Sequence, residues 1–126
     1  MNIKAIFLKK WTIFLAMLFL SATVFAREYA PLGVIGVAQL PSEAQVTLAL
    51  IKGGGSFPYE KDGAVFGNYE RQLPMQKRGY YHEYTVKTPR ARNRGARRII
   101  TGRNPAISGE YYYTDDHYES FKKIQE

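Results

Sequence analysis

The order of its secondary-structure signals is the feature that most constrains how this chain can fold. One helical segment comes first: in LPSEAQVTLALIKGGG, residues Ala44, Leu48 and Ile51 recur at helical spacing. Ser42 suits an N-cap, with a glutamine three residues later for a capping box, and the glycines at 53–55 would end the helix. We expect the apolar stripe of this helix to pack in the core.

Only strand-like segments follow the helix, and short turns join them. Their sequences are AVFGNYERQLP, YYHEYTV, RRIITG, EYYYT and YESFKKIQ. One helix followed by several strands predicts an α+β fold, with one main N-terminal helix packed on an antiparallel β-sheet. Residues 27–39, which Pro31, Gly33 and Gly36 interrupt, are expected to be irregular.

The first 26 residues differ in character from the rest. MNIKAIFLKK contains three lysines and no acid, and the 16 residues of WTIFLAMLFLSATVFA are apolar or small and end at Ala26. This is the pattern of a signal peptide. The alternative is an uncleaved membrane anchor, but the run is shorter than the ~18–20 residues that span a bilayer. We therefore expect residues 1–26 to be a cleaved signal peptide and residues 27–126 to be one secreted domain, extracellular or periplasmic, without stable membrane association.

Basic residues are concentrated in one part of the expected mature domain. Without the three lysines of the first ten residues, 15 basic residues remain against 11 acidic ones, a net charge of +4. Residues 87–103 hold seven lysines and arginines and no acid, which favours a polyanionic partner such as RNA, DNA, anionic lipid or acidic polysaccharide. The chain has no cysteine, which excludes disulfides, cysteine nucleophiles and thiolate metal sites.

The candidate proton-transfer groups are few. His82 and His117 are the only histidines, and either one alone is most simply an ordinary surface or packed imidazole. Adjacent side chains of a strand point to opposite faces, so His82 and Glu83 should not share a cleft. Glu83 lies among tyrosines in a strand built for burial, where a carboxylate needs a partner. It is either a structural ion pair with an arginine or a general base.

The arginines of TPRARNRGARR fall into two groups. Most should lie on a solvated face, but Arg97 and Arg98 open an apolar strand, so one of them must face the helix or a cleft. Gly95 would allow a tight turn that brings Arg94 near the strand. The planar guanidinium suits phosphate, because it can donate two hydrogen bonds at once.

The segment FGNYE is a second candidate binding element. The carboxylate of Glu70 could accept the two adjacent donors of guanine, N1–H and the N2 amine, while Tyr69 or Phe66 stacks on the base. A segment of this kind is also a common surface loop.

Four stretches together resemble the microbial guanyl-specific ribonuclease family, most closely its secreted bacterial branch. They are LPSEA, FPYEKDGAVFGNYERQLP, GYYHEYTVKTPRARNRGARRIITG and YYYTDDHYESF, and they cover residues 40 to about 124. The resemblance implies a monomer with the microbial ribonuclease fold. It also implies an endoribonuclease that cuts single-stranded RNA 3′ to guanosine through a 2′,3′-cyclic phosphate, without a metal or cofactor.

The same resemblance implies a role for individual residues. Glu83 matches the general base, His117 matches the general acid, and His82 has no role. The phosphate-binding positions are Arg94, Arg98 and Tyr118. The guanine-binding loop comprises Phe66, Gly67, Asn68, Tyr69 and Glu70.

This chain differs from the family pattern at a few positions, and two alternative functions remain open. Secreted bacterial relatives often carry a disulfide that joins the ends of the domain, and some have arginine where this chain has Tyr69. Residues 103–109 form a longer turn than is usual in the family. The first rival is a non-catalytic RNA- or polyanion-binding module. The second is the same nuclease acting as a toxin, held by an acidic inhibitor protein.

Overall fold

The computed structural model describes residues 32–126, and the predicted signal peptide lies outside the described residues. The described part forms one compact unit with one α-helix and six strands. The helix α1 spans Ser42–Gly53, and the strands are β1 (Gly33–Gly36), β2 (Ala64–Phe66), β3 (Tyr81–Thr85), β4 (Arg98–Gly102), β5 (Tyr111–Thr114) and β6 (Lys122–Gln125). Within this part of the chain, no helix is long and apolar enough to cross a membrane.

The strands form a single sheet in the order β1-β6-β5-β4-β3-β2. The predicted α+β fold is confirmed, because α1 packs on this sheet and strands β2 to β6 pair antiparallel in sequence. Two details of the prediction were wrong. The stretch expected to be irregular contains β1, and β1 pairs parallel with β6, so the sheet is mixed. The sequence did not indicate this strand, because its one half-buried apolar side chain, Ile35, follows the exposed Val34 and precedes a glycine.

Helix α1 begins and ends where glycine and proline dictate. Its N-cap is Pro41, so the prediction of Ser42 as N-cap was wrong by one residue. The side chain of Gln45 does not close a capping box; its Nε2 donates to the Leu40 carbonyl oxygen at 3.0 Å. At the other end the glycine prediction is confirmed, because Gly54 caps the helix in the left-handed region at φ 84°.

The core lies on both faces of the sheet, because side chains of the central strands alternate. On the helix face, α1 buries the predicted residues Ala44, Leu48 and Ile51 against the sheet. It also buries Thr47, which was not predicted. The helix-face cluster also includes Leu40, Tyr84, Val86, Ile99, Tyr111, Tyr113 and Ile124. The opposite face carries a smaller cluster of Leu73, Tyr81, Ile100, Tyr112 and Phe121. Each fully buried leucine, isoleucine, valine or phenylalanine of these clusters contributes about 1.5–3 kcal/mol, and this packing stabilises a domain that has no cysteine for a disulfide.

Candidate active site

Glu83 lies on β3 with its side chain on the face opposite α1. Only 14 % of that side chain is exposed. Its Oε2 accepts a hydrogen bond from Tyr118 Oη at 2.9 Å, and its Oε1 lies 3.4 Å from Arg94 Nη2. A half-buried carboxylate needs polar partners, and Glu83 has two of them, Arg94 and Tyr118. His82, the neighbour in the strand, contacts the Gly63 carbonyl oxygen through Nδ1 at 3.0 Å and not this cluster, as strand alternation predicts.

Arg94 reaches Glu83 because the loop before β4 turns sharply. Gly95 adopts φ 68°, and a side chain there would collide with Thr88, so the predicted glycine turn is confirmed. The guanidinium of Arg94 is then anchored by buried Thr85, whose Oγ1 accepts from Nε at 3.1 Å and from Nη2 at 2.8 Å. Sequence reasoning missed Thr85, because a threonine at a strand end matches no pattern that marks a site.

Of the two arginines that open β4, Arg98 faces the site. It is buried, and its Nη1 donates to the carbonyl oxygens of Gly95 at 3.0 Å and Arg97 at 2.7 Å. Its Nε donates to Tyr118 Oη at 3.1 Å. Arg97 is turned toward the helix, where its charge is among the causes that hold the pKa of Glu43 below its ordinary value, after the backbone and Ser42 hydrogen bonds. The prediction that one of the two arginines faces the helix or a cleft is confirmed by Arg98, which faces the site.

Tyr118 joins the arginine to the carboxylate. Its hydroxyl accepts from Arg98 and donates to Glu83. Burial, followed by the hydrogen bond and charge of Glu83, raises the pKa of Tyr118, so the hydroxyl stays a donor at neutral pH. Its ring stacks on Phe66 with centroids 5.2 Å apart, which links this cluster to the predicted base-binding loop.

His117 lies beside this cluster on the turn after β5. Its backbone is in the left-handed region at φ 56°, and its N–H donates to the Ala96 carbonyl oxygen at 3.0 Å. The exposed imidazole borders a shallow pocket together with Asn93, Arg94, Gly95 and Ala96. Asp116 supports the turn, since its Oδ1 accepts from Thr114 Oγ1 at 2.8 Å and from the Ser120 N–H at 2.9 Å. Sequence reasoning did not single out Asp116, although an aspartate preceding a turn residue is a common signal.

The predicted base-binding loop, residues 66–70, follows β2 directly. Asn68 adopts φ 52°, and its side-chain amide exchanges two hydrogen bonds with the backbone of Leu73, at 3.0 and 3.1 Å. Asn68 therefore shapes the loop from within. Tyr69 and Glu70 are exposed on the same loop, while Phe66 turns inward to Tyr118. The loop and the Glu83 cluster are thus adjacent, joined through the two aromatic rings.

The chemistry that this arrangement supports is proton transfer beside an anion. The carboxylate of Glu83 lies next to the guanidinium of Arg94 and is linked to that of Arg98 through the Tyr118 hydroxyl. The imidazole of His117 borders the pocket that Arg94 lines. Within residues 32–126, no three histidine, aspartate or glutamate side chains come close enough together to hold a metal ion.

Comparison with known proteins identifies close relatives. A sequence profile of the ribonuclease family matches residues 28–125. Guanyl-specific ribonuclease Sa of Kitasatospora aureofaciens is 54% identical over 94 residues, which cover 75% of this chain and 95% of that protein. Guanyl-specific ribonuclease St of Saccharopolyspora erythraea is 54% identical over 88 residues, which cover 70% and 83%.

Solved structures agree with the sequence comparison. Ribonuclease Sa2 in complexes with mononucleotides superposes with a TM-score of 0.72 at 46% identity, covering 77% of this chain and 97% of that one. Ribonuclease Sa2 with guanosine-2′-cyclophosphate superposes with a TM-score of 0.68 at 47% identity, covering 75% and 97%. The family profile matches most of the chain, the guanyl-specific relatives are 54% identical to it, and the fold is shared. The chain therefore belongs to the ribonuclease family.

Proposed function

We propose that this protein is a secreted, metal-independent endoribonuclease that cuts single-stranded RNA on the 3′ side of guanosine. Its guanyl-specific relatives and the guanosine cyclophosphate bound to ribonuclease Sa2 support the activity and the cyclic intermediate. The single observation that carries the proposal is the convergence on Glu83 of Arg94 and, through Tyr118, of Arg98. A half-buried carboxylate with these partners is suited to taking a proton next to a phosphate.

In the first step, Glu83 takes the proton from the ribose 2′-hydroxyl, and the 2′-oxygen attacks phosphorus. The bond from phosphorus to the 5′-oxygen breaks, and His117 gives its proton to that leaving oxygen. Negative charge builds on the phosphoryl oxygens, where Arg94 and Arg98 offset it. Proton transfer by a positioned side chain contributes about 10²–10⁴-fold to the rate.

In the second step, water opens the 2′,3′-cyclic phosphate with the two roles exchanged. His117, now neutral, takes the proton of the water, and Glu83, now protonated, returns a proton to the 2′-oxygen. The product is a 3′-phosphate and the enzyme is restored. DNA lacks the 2′-hydroxyl and is not cut by this route.

Base choice belongs to residues 66–70. Asn68 holds the loop backbone in its bent form, so that peptide N–H groups can meet the guanine O6 and N7. The exposed carboxylate of Glu70 accepts from guanine N1–H and the N2 amine, which adenine and the pyrimidines do not match. Phe66 and Tyr69 supply aromatic surface for stacking.

Export follows from the first 26 residues as a separate part of the proposal. We propose that they are removed as a signal peptide and that residues 27–126 act outside the cytoplasm as a monomer. An acidic inhibitor protein would suit the basic stretch at 87–103. Mass analysis of the protein released by the producing cell tests the first point, because a mature chain should begin near Arg27.

The activity is tested with purified residues 27–126, EDTA and a short RNA that contains one guanosine. The expected result is a single cut 3′ to that guanosine, with a cyclic phosphate end that later becomes a 3′-phosphate. The same RNA with a 2′-deoxyguanosine is the matched control and should stay intact. Binding of the RNA by folded protein without cleavage would favour the rival polyanion-binding module.

A further inference from the structure

Tyr69 projects from the base-binding loop, and its ring is held at two points although the side chain is largely exposed. The exposed fraction of the residue is 80%. At the far end of the ring, Arg78 Nη1 donates a hydrogen bond to Tyr69 Oη at 2.7 Å. At its side the ring lies against Gly67, where an added Cβ would be 2.5 Å from two ring carbons. A larger residue at position 67 would push the ring away from the loop.

The loop beneath the ring does not depend on this contact for its shape. The side chain of Asn68 binds the backbone of Leu73 in both directions, and the N–H of Arg71 donates to the Asn68 carbonyl oxygen at 3.0 Å. These bonds close the loop from within. The hydrogen bond from Arg78 therefore determines where the ring lies and not how the loop folds.

The contribution of this hydrogen bond to folding should also be small. Tyr69 and Arg78 are both exposed, and polar contacts between exposed groups exchange readily with water. Its effect on binding is different. An aromatic side chain that is free to rotate loses that freedom when it stacks on a base, whereas a side chain already held in place loses less.

We propose that Arg78 is a positioning residue for base recognition, which holds Tyr69 as a cover over the base-binding loop. The inference rests on the proposed function, which assigns guanine to this loop. A guanine that enters then meets a ring that the hydrogen bond from Arg78 already restrains. Arg78 takes no part in phosphoryl transfer.

The two ends of the hydrogen bond can be removed separately. Tyr69→Phe deletes only the hydroxyl, and Arg78→Met keeps much of the side-chain length without its donors. Lys77→Met is the matched control, because it removes one exposed positive charge from the neighbouring position without touching Tyr69. Calorimetry measures the Kd of 3′-GMP for each protein, and steady-state cleavage of the dinucleotide GpC gives kcat and KM.

The expected result is specific to the pair. Tyr69→Phe and Arg78→Met each raise the Kd of 3′-GMP and the KM of GpC about three- to tenfold, with kcat unchanged. The double variant is no weaker than either single one, because both remove the same bond. Lys77→Met stays at the wild-type values.

Three results would overturn the inference. The Kd of Arg78→Met could equal that of the wild type, Lys77→Met could weaken binding as much, or the two substitutions could be additive. A wild-type protein that binds 3′-GMP but leaves GpC intact would refute the proposed catalysis, while its Kd values still decide the role of Arg78. A wild-type protein that does not bind 3′-GMP would refute both.

Discussion

Replacing Glu83 by glutamine separates a catalytic carboxylate from a structural one. The amide has nearly the same shape, and its oxygen can still accept from Arg94 while its nitrogen faces the Tyr118 hydroxyl. The Tyr118 hydroxyl would then accept from the amide instead of donating to it. One hydrogen bond to a charged group, about 1.5–3 kcal/mol, is exchanged for a weaker neutral one, so the fold should persist with a modest loss of stability.

The expected change in rate is much larger than the change in stability. Without a base for the 2′-hydroxyl, kcat should fall about 10²–10⁴-fold, which corresponds to about 3–5 kcal/mol of activation free energy. KM should not rise, because the substitution removes a negative charge beside the binding site of an anion. Binding of 3′-GMP should be unchanged or tighter. An arginine-holding role alone would instead weaken phosphate binding and raise KM.

The assay is initial-rate cleavage of GpC, with thermal unfolding to verify the fold. Glu110→Gln is the matched control, because Glu110 also accepts a hydrogen bond from a tyrosine, Tyr80 Oη at 2.8 Å, outside the Glu83 cluster. This control should retain wild-type kcat. If Glu83→Gln kept kcat within about threefold of wild type, the assignment of the base would be wrong.

Three further predictions concern the remaining parts of the site. His117→Ala should lower kcat about 10²–10⁴-fold and His82→Ala about tenfold or less in the GpC assay; the reverse order would contradict the assignment of the acid. Glu70→Ala should lower kcat/KM for GpC about 10²-fold while leaving ApC nearly unchanged, and an equal loss on both dinucleotides would argue against guanine contact. The hydrogen bond from the Ser120 side chain is the main cause that lowers the pKa of Asp116 below its ordinary value of 3.8. Because this pKa is lower in the folded protein, the ionised carboxylate of Asp116 stabilises the fold above pH 3.8, and that stabilisation is lost as the pH falls through the folded-state pKa. The melting temperatures of wild type and Asp116→Asn should therefore converge in acid. A constant difference from neutral to acid pH would show that Asp116 does not carry this acid sensitivity.

Much of the fold follows from patterns within short stretches of sequence. The helical stripe and the glycine at its end predicted α1, and the aromatic and β-branched runs predicted β2 to β6. Strand alternation also predicted that Glu83 and His82 lie on opposite faces of the sheet, which the structure confirms. These features are local, because helical spacing, strand alternation and left-handed glycine act within a few residues.

Only the tertiary structure decided which distant residues meet. Glu83 and Tyr118 are 35 positions apart, and the turn at Gly95 and the strand register bring Arg94 onto Thr85. Three further features also depend on contacts between residues of different segments. They are the parallel pairing of β1 with β6, the position of Arg98 at the site in place of Arg97, and the hydrogen bond from Arg78 to Tyr69. Sequence patterns report on residues that are close together in the chain. Hydrogen bonds and packing between distant segments depend on distances in space, which only the folded sheet defines.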